Sequence, residues 1–90
     1  NKIYLIENYA FSFNRNLQRL ELGFNFIKKI NDSIFRYLNK LEYLILNNNK
    51  IVEIENRAFE NLINLRILDL SFNRIRILRK TLLENLDNLE

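Results

Sequence analysis

Ninety residues bound the chain to one small domain, and an apolar content of 48% is that of a folded chain, not a disordered one. With no Cys and no His, a disulfide framework, a zinc ribbon and any triad built on histidine or cysteine are excluded. A net charge of +3 is too mild to argue for a nucleic-acid partner, and no apolar run approaches the roughly 18 residues that a bilayer span needs.

Along the chain, one pattern returns at a fixed period. Leu17, Leu20, Leu22, Asn25 and Ile27 read L-x-x-L-x-L-x-x-N-x-I. The pattern recurs at Leu41, Leu44, Leu46, Asn49 and Ile51, and again at Leu65, Leu68, Leu70, Asn73 and Ile75, each time 24 residues on. Further columns share the register: Ile30, Ile54 and Leu78; Phe35, Phe59 and Leu83; Leu38, Leu62 and Leu86. The expected units are a partial repeat over 1–16, full repeats over 17–40, 41–64 and 65–88, and the start of a further one at 89–90. In the partial repeat Asn1, Ile3, Ile6 and Phe11 fall in their columns. Asn14 breaks the Leu column there, and Phe13 is its expected substitute. The chain starts without Met and shows no recognisable cap, so it is expected to be a slice of a longer array.

Each L-x-L segment alternates apolar and polar, the period of a short strand with one buried face. One strand per turn, always approached by the same route, must pair in parallel. The return path carries the Ile30 and Phe35 columns inward and is expected to be irregular or 3₁₀. Phe11, Phe35 and Phe59 are expected to stack as a core spine, loosening at Leu83.

These columns resemble the leucine-rich-repeat family over essentially the whole chain. The 24-residue length and the Ala10-Phe11, Ile34-Phe35 and Ala58-Phe59 pairs are similar to its "typical" subclass, that of Toll-like receptors, Slit-type guidance proteins and small matrix proteoglycans. The Gly-x-Ile-Pro signature of plant receptor repeats is absent. The resemblance implies an α/β solenoid, a right-handed horseshoe fragment with a parallel sheet on the concave face and turns on the convex face. It also implies that Asn25, Asn49 and Asn73 form a structural ladder between turns. An extracellular or cell-surface location follows from the subclass, in the ectodomain of a receptor, adhesion or matrix protein that can itself be membrane-anchored. An intracellular scaffold, or the accessory binding region of a larger enzyme such as a receptor kinase, are the alternatives.

No residues space themselves as a catalytic or metal site, and no cofactor is expected. Glu21 and Asp69 share a column two repeats apart, roughly 10 Å at the usual strand spacing, close to the about 5–9.5 Å of paired glycosidase carboxylates. Both are expected on an open surface without a pocket, so binding is expected instead of catalysis.

A protein partner is expected on the concave face, where the outward strand residues change chemistry between repeats. The columns are Arg19, Tyr43 and Ile67; Glu21, Ile45 and Asp69; Gly23, Asn47 and Ser71. Tyr43, Ile45 and Ile67 form an apolar centre with Arg19, Glu21, Asn47, Asp69 and Ser71 around it, the pattern of a hot spot. Phe24 and Phe72 are candidates to tuck against the neighbouring loop. Lys28, Lys29, Lys50, Arg74, Arg76, Arg79 and Lys80 are expected to align as a basic flank, interrupted by Glu53 and Glu55, where a sulfated glycan is the candidate ligand and a solvated edge the plainer outcome. Asn31-Asp32-Ser33 is the one N-x-S/T sequon and marks Asn31 for N-glycosylation if the chain is secreted.

Overall fold

The computed structural model describes residues 2–84 and 86–90, so Asn1, expected in the Asn column, lies outside the described residues. Three short strands, β1 (Arg19–Glu21), β3 (Tyr43–Ile45) and β5 (Ile67–Asp69), form a parallel sheet in the order β1-β3-β5. Arg19 pairs with Tyr43 and Tyr43 with Ile67; Leu20, Leu44 and Leu68 align likewise, as do Glu21, Ile45 and Asp69. The ladder is in register with the sequence columns because each strand is followed by a return path of the same length.

The return path differs from expectation. A second parallel pair, β2 (Lys29–Ile30) with β4 (Glu53–Ile54), runs along the flank in matching register. Lys50 N–H donates to Ile27 O at 2.9 Å, Val52 N–H to Lys28 O at 2.9 Å and Glu55 N–H to Ile30 O at 2.9 Å, so this flank is laced turn to turn. Backbone groups at the edge of a stacked coil must find partners, and identical turns in register supply them. Past this flank the path is turns, with one 3₁₀ segment described, Lys80–Leu83.

The core lies between sheet and turns. Leu41, Leu44, Leu46, Ile51, Phe59 and Leu62 of the central repeat are fully buried, as is Leu65 at the start of the next. Phe11 and Phe35 stack at 6.1 Å between centroids and Phe35 and Phe59 at 6.2 Å, one ring per turn. Leu83 takes the next place half-buried. Two expected core positions are open: Leu78 is 57% exposed, and Phe13 is 97% exposed and does not replace the missing leucine at Asn14. Leu78 lies in a stretch that, among the described residues, forms no strand of the flank pair. Phe13 belongs to the Tyr37 column, which faces outward by register.

The Asn column ties the turns together. Asn49, only 6% exposed, accepts from Ile27 N–H at 3.1 Å through Oδ1. Its Nδ2 donates to Leu22 O at 2.9 Å, Leu46 O at 3.2 Å and Asn47 O at 3.3 Å. Asn25 accepts from Ile3 N–H at 3.0 Å and Asn73 from Ile51 N–H at 3.0 Å, and both donate to carbonyls at the strand exit. Each amide uses both of its polar atoms, which removes the penalty for burying it. Among the described residues no buried side-chain N or O lacks a partner.

Replacing Asn49 by Ala would strip the Ile27 N–H of its acceptor in a closed interior and leave the Leu22 and Leu46 carbonyls with one amide donor each, from Asn25 and Asn73. The expected loss is about 3 kcal/mol, read as a lower urea midpoint at unchanged slope. Asn61→Ala, which gives up one exposed bond to Arg36 O, should move the midpoint far less.

Candidate partner-binding face

The sheet face away from the core carries the outward columns. β1, β3 and β5 bring Arg19, Tyr43 and Ile67 side by side, and Glu21, Ile45 and Asp69 beside them. Tyr43, Ile45 and Ile67 are half-buried, so each rests on its neighbours and still presents area to solvent. Tyr43 is clamped. The Arg19 guanidinium lies 5.1 Å from its ring centroid and that of Arg66 5.9 Å. Arg66 Nη1 also donates to the Tyr43 hydroxyl at 3.4 Å. Both guanidiniums are anchored: Arg19 Nε to Glu21 at 2.6 Å, Arg66 to Glu90 at 2.9 Å and Glu42 at 3.9 Å. A ring held between two anchored cations loses little freedom when a partner covers it.

Arg66 joins the site from outside the three outward columns. It precedes β5 and is stacked one turn beyond Glu42, so it reaches Tyr43 diagonally. The signal lay in the register, where Arg19 and Arg66 fall on neighbouring turns either side of Tyr43.

The last outward column is Gly23, Asn47 and Ser71. A Cβ on Gly23 would overlap Asn47 Oδ1 and come 3.3 Å from the Asn47 carbonyl, so the glycine opens the space in which the Asn47 amide lies. Asn47 Nδ2 donates to Asn48 Oδ1 at 2.8 Å. The Ser71 hydroxyl and N–H both donate to Asp69 Oδ1, at 2.6 and 3.0 Å. Asp69 and Glu21 stand on the two outer strands with Ile45 between them, each already engaged, on a face with no enclosing wall.

Phe24 and Phe72 do not tuck in. They are 70% and 79% exposed. Their column turns the chain with positive φ: 58° at Phe24, 56° at Asn48 and 57° at Phe72. Asn tolerates that region; Phe is strained in it. The left-handed residue swings the chain from the strand into the Asn ladder, and its side chain is left at the rim.

The basic flank is smaller than its seven residues suggest. Lys29 is neutralised by Glu53 at 4.0 Å and Glu55 at 3.8 Å across the β2–β4 pair. Arg76 and Arg79 line a cleft that also holds Asp32, Glu53 and Glu55. The Lys80 side chain lies outside the described residues. Lys28, Lys50 and Arg74 remain clear of that cleft and without a carboxylate within 4.0 Å among the described residues, and Lys50 sits 5.8 Å over Phe26. At the sequon, Asn31 Nδ2 donates to Asn8 Oδ1 at 3.1 Å, and Ser33 is buried.

A stack of identical turns that presents a variable strand face defines a repeat solenoid built for interaction. The leucine rich repeat family model matches residues 1–51, 15–75 and 40–90, which together span the chain. The chain belongs to the leucine-rich-repeat family. No curated protein matches it. Among solved structures it is similar to TLR13, determined as a TLR13–ssRNA13 complex, at 39% identity and a TM-score of 0.91. That match covers 97% of this chain and 12% of TLR13, so the chain spans a small part of that receptor's length. The expectation of no nucleic-acid partner finds no support in this neighbour. No described helix is long and apolar enough to cross a membrane.

The Ser71 bonds hold the Asp69 carboxyl below the usual carboxylate range, the hydroxyl contributing most, the N–H next, and partial desolvation opposing them. A depressed native value makes this contribution to stability full above the ordinary carboxylate range and lost as pH falls through the native one. Ser71→Ala should therefore move the Asp69 titration upward, as followed by carboxyl-carbon NMR, and any loss of stability should be greatest above the ordinary carboxylate range and vanish as pH falls through the native titration. An unmoved titration would assign the depression to another group.

Proposed function

We propose that this chain is a non-catalytic protein-recognition segment of a receptor-type ectodomain, at the cell surface or outside the cell. Its contact centre is Tyr43, Ile45 and Ile67, rimmed by Arg19, Glu21, Asn47, Asp69 and Ser71. The observation that carries this reading is the clamped Tyr43 ring beside two half-buried isoleucines on an open sheet face. Such a patch suits a desolvating protein contact with aromatic and aliphatic anchors and a polar rim. The likeness to TLR13 supports the receptor context.

The RNA bound to TLR13 makes nucleic acid the competing partner. Charge on this face argues against it. Arg19 is bound to Glu21 and Arg66 to Glu90 and Glu42, while Asp69 adds a further carboxylate. Phosphate binding draws on excess cations that release counterions, and the sheet face has none to spare. An enzyme's accessory region would bind through the same face, so the catalytic alternative changes the parent protein and not the contact.

Tyr43→Ala combined with Ile67→Ala, placed in the intact protein, should weaken capture of its protein partner at least about tenfold and leave the circular dichroism spectrum unchanged. Equal capture would move the contact off this sheet. Tight single-stranded RNA binding that the double variant abolishes would replace the protein reading.

The compartment has its own test at Asn31. Glycosylation consumes one Nδ2 hydrogen and leaves the other for Asn8 Oδ1, so the fold tolerates the modification. A glycosidase-sensitive mass shift, removed by Asn31→Gln, is the expected result in secreted material. An unmodified Asn31 in protein recovered from cytosol would favour the intracellular scaffold.

A further inference from the structure

On the turn side of the solenoid, away from the sheet, four residues of the first two turns interleave. The Arg15 guanidinium lies 4.6 Å over the Tyr37 ring and that of Arg36 5.7 Å over the Tyr9 ring. The two rings meet at 6.3 Å, tilted by 38°. Tyr9 is 47% exposed, and Phe13, 97% exposed, precedes Arg15 on the same turn.

Three features separate this cluster from an ordinary solvated surface. First, its charge is unspent. Arg19 and Arg66 on the sheet are each held by carboxylates, whereas neither Arg15 nor Arg36 has one within 4.0 Å among the described residues. Arg15 is only steadied by a 3.4 Å bond from Nε to the Ser12 carbonyl. Second, the guanidiniums are positioned. Stacking on a tyrosine face fixes the plane of the fork and leaves its terminal N–H groups free for a carboxylate. Third, the backbone here departs from the repeat. Tyr9 has φ of 61°, and the equivalent residues Ser33, Arg57 and Thr81 do not share a positive φ. The other positive-φ residues, Phe24, Asn48 and Phe72, belong to one column and follow from the repeat itself. Tyr9 stands apart, and strain at a single aromatic is a mark of a site held for use.

We infer that Arg15, Arg36, Tyr9 and Tyr37 form a second recognition surface, which takes an acidic peptide segment of a protein partner. Two planar cations match two carboxylates of an extended acidic stretch, and Phe13 and the tyrosine edges cover its apolar atoms. Two phosphate contacts would be few for a nucleic acid, whose binding gathers strength from many. Because this surface shares no residue with Tyr43, Ile45 and Ile67, it stands or falls independently of the sheet contact.

The test uses a fluorescein-labelled peptide, Glu-Glu-Tyr-Glu-Glu, in an anisotropy titration against the intact protein at low salt, with an oligouridylate of similar charge as competitor. Arg15→Glu with Arg36→Glu, both on exposed turns, should weaken peptide binding at least about tenfold. Tyr9→Gly, which relieves the backbone and removes the ring under Arg36, should weaken it several-fold without lowering the urea midpoint. Tyr43→Ala with Ile67→Ala should bind the peptide as the unaltered protein does. Peptide binding that survives the double charge reversal overturns the proposal. So does absence of peptide binding by the unaltered protein. Oligouridylate that binds more tightly than the peptide, and is lost in the same variant, gives the surface to single-stranded nucleic acid instead.

Discussion

The hydrogen bond from Ile27 N–H to Asn49 Oδ1 carries more of the architecture than any apolar contact. A solenoid turn must bend sharply where the strand ends, and a bend exposes backbone groups that neither sheet can reach. Asn49 fills that gap from inside, accepting from the turn before and donating to the carbonyls of Leu22, Leu46 and Asn47. The strand ladder is three residues long and the flank ladder two. Alone, neither would fix the spacing between turns. With one amide locking both across the corner, the turns stack at one height, and the leucines and phenylalanines fall into columns. Stability in such an array is a sum over neighbouring turns, and the amide acts at every junction.

That dependence explains the strained corner. To bring the amide under the bend, the residue before it must adopt positive φ, whatever its side chain. Asn48 meets this demand easily. Phe24 and Phe72 meet it with strain, and with their rings exposed at the rim. A leucine in that column would have been no better, since the requirement falls on the backbone. The rim aromatics are therefore a consequence of the ladder first. Any use a partner makes of them is laid over a position the fold already constrains.

Most of the scaffold was legible in the sequence because it repeats. Period, strand positions, parallel register, the phenylalanine spine and the fates of Leu20, Leu44 and Leu68 all follow from columns 24 residues apart. What escaped was what does not repeat or does not depend on side-chain polarity. The flank pair β2–β4 is made of backbone bonds between segments of mixed character, Lys29-Ile30 and Glu53-Ile54, too short for an alternation signal. The exposure of Phe13 conflicts with a rule that sends large apolar residues inward; register overrode it. The neutralisation of Lys29 depends on glutamates one turn away. In a linear reading those glutamates interrupted a basic run; in the stack they bind it. The Tyr43 residue was legible as a candidate, but the clamp by Arg19 and Arg66 was not, because a cation over a ring is fixed by rotamers spanning neighbouring turns.

The surface obeys a different logic from the core. In the core, equivalent residues on successive turns meet each other, so like must follow like. On the sheet face the same stacking places Arg19, Tyr43 and Ile67 in contact, and here unlike residues make the better neighbours: a cation covers a ring, and a ring abuts an aliphatic. On the turn side, Arg15 and Tyr37, and Arg36 and Tyr9, repeat that arrangement with one difference. The sheet arginines are tied down by Glu21, Glu42 and Glu90, which spends their charge on holding Tyr43 in place. The turn-side arginines have tyrosine alone beneath them, so their charge stays available. One scaffold period thus supports two faces of different character, one offering a fixed apolar centre and the other a pair of poised cations. The difference between them rests on where the glutamates fall within the 24 residues.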